Sequence, residues 1–328
     1  MSPRRKTAVM FPLILAAVWG GSLLCDNADT AQADPPAVST QPDVGPNASL
    51  HGKRMFPPDN PWNRDISNDP VDPKSDAIIA TIGPLKSLHP DFGTVAGQLF
   101  GIPYIVVSGD QPKVPVVFDV AGESDPGPYP IPPDAPIEGG ADSTHDRHVL
   151  VLDRDHWMLY ELFGAKPVDG GKSWTAGSGA IFNLNTNQLR HDHWTSADAA
   201  GLPILPGLVR YDEAVEQGQI NHALRFTVRR SRATFISPAT HYASRSFNPN
   251  LPPMGMRVRL KASFEISDDY PPSVQAILKA LKQYGMLVAD NGGNWFLSGA
   301  PDPRWSDDEI QTLRRVHGSD FEVIKMSP

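Results

Sequence analysis

Cysteine is nearly absent: the 328-residue chain contains one, Cys25. That excludes a disulfide within the chain and any zinc or iron–sulfur cage built on thiolates. Positive charge is also in short supply, with 29 Lys and Arg against 37 Asp and Glu and a formal net charge of −8. A protein that tracks a phosphate backbone needs a clustered excess of Lys and Arg, so no nucleic-acid partner is expected. The sequence has no glycine-rich phosphate loop, no dinucleotide fingerprint and no internal repeat, and it implies no cofactor. Proline, by contrast, is abundant at 34 residues, about twice the usual share. Each interior proline removes a helix hydrogen bond and clashes with the preceding turn, which excludes a helical bundle or a coiled coil.

Arg4, Arg5 and Lys6 precede an uncharged, mostly apolar run from Thr7 to Leu24, and Ala31-Gln32-Ala33 supplies a small-residue cleavage site. Residues 1–33 therefore read as a signal peptide, which makes the protein secreted, extracellular or periplasmic. The run is at the lower limit for a membrane span. Pro12 and Gly20-Gly21-Ser22 interrupt it, so no stable membrane insertion is expected after cleavage. Acylation of Cys25 would call for a small residue where Leu24 stands. Residues 34–54, rich in Pro, Ala, Ser, Asp and Asn, read as a disordered leader. Residues 55–328 read as a single β-rich domain, large enough to be held by its core alone.

Within that domain, short apolar runs alternate with Pro and Gly punctuation. The clearest unit is 148–163, where His148-Val149-Leu150-Val151-Leu152 and Trp157-Met158-Leu159-Tyr160-Glu161-Leu162-Phe163 flank the polar turn Asp153-Arg154-Asp155-His156. The pattern predicts a β-hairpin. A period of two puts Trp157, Leu159, Glu161 and Phe163 on one face, so Glu161 is a carboxylate set among apolar neighbours. Further strands are expected at 102–107, 114–118, 179–184, 223–228, 233–236 and 257–263. Near residue 270 the period changes. Val274, Ile277, Leu278, Leu281 and Tyr284 follow helical spacing up to Gly285, and Ser306-Asp307-Asp308-Glu309 opens a second helix. Between the helices, Asp290-Asn291-Gly292-Gly293 reads as a hairpin turn. The expected fold is mainly β: an antiparallel β-sandwich or jelly-roll-like core carrying a small C-terminal α+β element, about 270–328, of helix, hairpin, helix and strand.

Four stretches, Glu123-Ser124-Asp125-Pro126-Gly127-Pro128-Tyr129-Pro130, Asp146-Arg147-His148-Val149-Leu150-Val151, Trp194-Thr195-Ser196-Ala197-Asp198-Ala199-Ala200-Gly201-Leu202-Pro203 and Ala280-Leu281-Lys282-Gln283-Tyr284-Gly285-Met286, resemble a family of secreted, mostly bacterial proteins. The resemblance covers most of the chain after residue 33. It implies export and one domain but no particular reaction, although members of the family often stand beside carbohydrate-active enzymes.

Among chemistry-bearing residues the carboxylates lead. Glycoside hydrolysis uses two carboxyls across the scissile bond, one protonated as acid and one ionised. Burial among Trp157, Leu159 and Phe163 would raise the proton affinity of Glu161, which suits the acid. Asp198, in the small-residue turn between Trp194 and Pro203, is the expected partner. Glu138, before two glycines, and Asp212-Glu213 are further acids. The structural alternative is that Glu161 pairs with Arg147 or Arg225 on a neighbouring strand. Trp174 and Trp194, in Pro/Gly-rich loops, are expected sugar-stacking platforms, and His222, His241 and Arg225 are expected to contact substrate. His191-x-His193 would put two rings on one face, but its spacing matches no zinc signature and no metal site is assigned. The expected function is a polysaccharide-hydrolysing enzyme. The alternatives are a non-catalytic module that binds polysaccharide or cell-surface glycan, and, more weakly, a histidine-based metal protein.

Overall fold

A computed structural model describes residues 41–95 and 97–325. The signal peptide, residues 34–40 of the leader and residues 326–328 lie outside the described residues. The hairpin anticipated at 148–163 forms: β4 (Val149–Asp153) pairs antiparallel with β5 (Met158–Phe163). Before it in the chain come β1 (Gly45–Pro46), β2 (His89–Asp91) and β3 (Tyr104–Val107). After it come β6 (Ser178–Asn183), β7 (Leu224–Val228), β8 (Arg257–Leu260), β9 (Met286–Asn291), β10 (Phe296–Ser298) and β11 (Phe321–Val323).

These strands build a five-stranded sheet in the order β1-β3-β4-β5-β6 and a six-stranded sheet in the order β11-β8-β9-β7-β10-β2. The fold is mainly β, as expected, but the sheets are mixed rather than antiparallel. The pairs β3–β4, β7–β9 and β10–β2 are parallel. A jelly roll is antiparallel throughout, so this pairing does not make one.

Side-chain alternation explains where the core lies. On β4 and β5, Leu150, Leu152 and Leu159 face a core shared with Phe226, Val258 and Leu297 of the six-stranded sheet. Val149, Val151, Tyr160 and Leu162 point the other way, onto a second cluster with Tyr129, Ile131, Trp174 and Ala176. Both faces of this sheet are thus covered. That is why β4 reads as an unbroken apolar run, and why a charged residue inside the hairpin is forced into the interior.

Among the described residues three α-helices complete the frame. α1 (Ser75–Ile82), which the sequence pattern did not suggest, buries Ile78, Ile79 and Ile82. α2 (Pro272–Gln283) begins on a proline and buries Val274, Ile277, Leu278 and Leu281, as its spacing predicts. It stops before Gly285, whose φ of +67° and a Val258 carbonyl oxygen 2.2 Å from where a Cβ would sit admit no other residue without strain. α3 (Asp307–Ile310) is capped by Ser306.

Three expectations change. Residues 41–54 are not a loose leader: β1 pairs with β3, Leu50 is fully buried, and Asn47 accepts a hydrogen bond from the Tyr104 N–H. Residues 290–293 are not a hairpin turn, since the C-terminal segment gives β9, β10 and β11 to the six-stranded sheet and β7 lies between β9 and β10. The strand expected at 233–236 shrinks to one bridge, Phe235 to Met254. Among the described residues no helix is long and apolar enough to cross a membrane.

Candidate functional site

Residues 194–204 run without helix or strand between the two sheets, up to a short 3-10 turn at Leu205–Gly207, so their backbone polar groups need partners from side chains. Both sheets supply them. From the five-stranded sheet, Ser178 Oγ donates to the Ser196 carbonyl at 2.7 Å, and the Glu161 carboxylate accepts the N–H groups of Ile204 (2.9 and 3.0 Å) and Leu205 (2.9 Å). From the six-stranded sheet, Arg225 grips Asp198 through two nitrogens at 2.9 and 3.2 Å and donates its third to Ser298 Oγ at 2.6 Å. The loop reverses at Gly201, whose φ is +72° and where a Cβ would meet Thr240 Oγ1 at 2.1 Å. The segment is therefore a polar clasp between the sheets, anchored by side chains that do not reach solvent: Glu161 is 0% and Asp198 1% exposed.

His148, just ahead of β4, sits beside this clasp. Its Nδ1 is 2.6 Å from Glu138 Oε2 and its Nε2 3.0 Å from the Ala197 carbonyl oxygen. Two acceptors facing two ring nitrogens are satisfied by the doubly protonated imidazolium. Burial opposes that charge, but Glu138 outweighs it and holds the ring up to about 9. Burial pushes Glu138 upward in turn, yet the hydrogen bonds and charge of His148, with help from Arg225, bring it below the ordinary glutamate value. Asp198 is raised by burial, against the pull of Arg225, and the two-point contact is that of a carboxylate anion on a guanidinium.

Three more acids lie in the field of this group. Asp91, at the end of β2, is pushed up to about 6 by burial, opposed by Arg225 and reinforced by Glu138. Asp290, on β9, is pushed up to about 7 by burial and by Asp198, again against Arg225. Glu161 reaches about 7 through burial, with its two backbone donors pulling the other way. Two fixed cations, Arg225 and His148, are thus matched by Asp198 and Glu138, and the remaining acids hold their protons more tightly.

Exposure divides the cluster into floor and rim. Arg225 (3%), His148 (5%) and Asp198 (0%) form the floor, while the side chains of Asp91 (28%) and Glu138 (22%) reach solvent. Asp290 is likewise half-buried.

The residues singled out in the sequence are therefore placed unevenly. Glu161, Asp198 and Arg225 do come together, within one electrostatic network. Glu161 pairs with neither Arg147 nor Arg225; Arg147 instead donates to the carbonyls of Ala141, Ser143 and Ala165. Neither Glu161 nor Asp198 can touch a substrate, because burial closes both and their oxygens are engaged. Trp174 lies on the strand Ser173–Ala176, 1% exposed, and offers no face to a ligand. Trp194 is half-buried and lines a surface groove. His222 is held between Glu213 (3.0 Å) and the Ala223 carbonyl (2.8 Å), away from the loop clasp. His241 bonds the Ala199 carbonyl at 2.7 Å, on the edge of the clasp. The rings of His191 and His193 diverge, one against Trp194 and the other against Phe235 and Tyr242. Among the described residues no group of three or more His, Cys, Asp or Glu side chains is placed to hold a metal ion.

Sequence reasoning missed the rim. Glu138 carried a weak signal, an acid before two glycines. Asp91, in a three-residue strand beginning His89-Pro90, carried none, and Asp290 was absorbed into an apparent turn. Comparison with protein-family models, with curated proteins and with solved structures finds no match to this chain.

Proposed function

We propose that this protein is an exported glycan-active hydrolase whose acid–base pair is Asp91 and Glu138. The observation that carries the reading is that these two carboxyls reach solvent, lie in each other's field and have been driven apart in proton affinity over one charged floor. Hydrolysis of a glycosidic bond needs that division: a protonated acid for the leaving oxygen and an ionised partner on the other side. Asp91, raised to about 6, is the acid. Glu138, kept ionised by His148, is the base or nucleophile. Asp198 and Glu161 are positioning residues beneath them, since they fix the loop whose Ala197 carbonyl orients His148.

The test is release of reducing ends from a panel of soluble polysaccharides. The wild type is expected to act on at least one, with a rate that falls as pH rises past about 6, where Asp91 loses its proton. D91N and E138Q should each lose at least about 100-fold in kcat while keeping the wild-type near-UV spectrum. Undiminished turnover in both variants, or no reducing ends from any member of the panel, overturns the proposal.

A further inference from the structure

We infer that the groove beside Trp194 is a binding site for a neutral saccharide chain, separate from the rim acids and independent of whether they turn substrate over. The groove encloses ≈ 160 Å³. One wall is a stack of flat groups. The Arg190 guanidinium lies 5.8 Å from the Phe182 ring and 5.7 Å from the Trp194 ring, and His191 meets Trp194 edge-on at 5.0 Å.

That wall is built rather than incidental. The Arg190 side chain is 4% exposed, and all three of its nitrogens are committed: to the Thr195 carbonyl (2.8 Å), the Glu123 carbonyl (2.8 Å) and the Asp125 carboxylate. Asp125 is itself tied to the Ile181 N–H at 2.8 Å. A guanidinium 4% exposed and tied at each nitrogen turns little of itself to the groove, and Asp125 cancels its charge. The site therefore does not select phosphate, sulfate or a uronic acid.

What the groove leaves free is a different set of groups. Among the described residues, the Gln188 amide, the His191 ring and the Trp194 indole N–H have no hydrogen-bond partner in the protein. A charge-balanced platform with a partly exposed indole face and unpaired donors and acceptors matches the two surfaces of a pyranose, its C–H face and its hydroxyl edge. The groove also shares Phe182, Gln188, Leu189 and Arg190 with a smaller hollow bordered by Asn60 and Gly201. That continuity favours a chain of several sugars over a single one.

The test is titration of the purified protein with neutral hexaoses of the cello, xylo, manno, malto and chito series, followed by calorimetry and by tryptophan fluorescence. Among the described residues the other tryptophans, Trp62, Trp157, Trp174, Trp295 and Trp305, are all at most 6% exposed, so the part of a fluorescence change that W194F removes reports Trp194. At least one series should bind. W194A should weaken it at least about tenfold. W194F should retain most of the affinity and lose the fluorescence change, and Q188A should bind several-fold more weakly. E138Q, disabled in the proposed chemistry, should bind like the wild type, so a failure of catalysis at the rim leaves this result standing. The inference is overturned if no hexaose binds, if W194A binds unchanged, or if E138Q abolishes binding.

Discussion

Replacing Glu161 by glutamine separates the cost of a buried charge from the value of its hydrogen bonds. In the folded protein this acid is raised from the ordinary 4.5 to about 7, which corresponds to about 3 kcal/mol. A carboxyl raised on folding makes the native state bind the extra proton, so its stabilising contribution is complete below about pH 4.5 and is lost as pH rises to about 7. Glutamine has no charge to desolvate. Its oxygen, set where Oε1 lies, keeps the bonds from Ile204 (3.0 Å) and Leu205 (2.9 Å). Its NH2 then faces the Ile204 N–H across the 2.9 Å that Oε2 spanned, a donor against a donor that costs about 1 kcal/mol. E161Q should therefore be less stable than the wild type by about 1 kcal/mol near pH 4.5 and more stable by about 2 kcal/mol near pH 8. The two stability curves should cross between about pH 5 and 6. Urea unfolding at pH 4.5, 6 and 8, followed by near-UV circular dichroism, measures this directly. A difference between the two proteins that does not change with pH would refute the reasoning.

D198N leaves the buried Arg225 guanidinium without its anion and should cost about 3–5 kcal/mol in urea unfolding; a loss below about 1 kcal/mol would mean that the pair does not hold the clasp. His148 is raised from 6.5 to about 9 by Glu138, so its contribution is complete below about pH 6.5 and is lost as pH rises through about 9. Thermal melts of the wild type should therefore fall across that window, and those of H148Q should stay flatter. G201A forces a Cβ against Thr240 Oγ1 in a left-handed backbone and should destabilise by more than about 1 kcal/mol, with a visible change in fluorescence from the adjoining Trp194.

The hairpin at 148–163 and helix α2 were legible because their signal is local. A period of two or of 3.6 is set by backbone geometry, and the residues that must face inward are close together in sequence. The same locality identified Glu161 as an acid in apolar company, and it is buried as that pattern requires. What locality could not supply was the identity of the partners. Glu161 answers to two backbone N–H groups more than forty positions away, Asp198 to Arg225, and Glu138 to His148. The rim acids come from β2, from the loop before β4 and from β9, which only sheet pairing brings together.

The leader and the C-terminal segment show the same limit. Residues 41–54 have a disordered composition but are ordered by a strand pairing and by Leu50. Segments 286–291 and 296–298 look like two arms of a hairpin, yet each pairs with β7 instead. Composition and periodicity by themselves determined that the chain is β-rich, that it has no thiol framework and that one acid lies inside a sheet, because these depend on residue type and near-neighbour spacing. Which strands are parallel, which acids face water and which cations they answer to was decided by the tertiary structure. Hydrogen-bond ladders and charge pairs act across space between residues whose separation along the chain carries no signal.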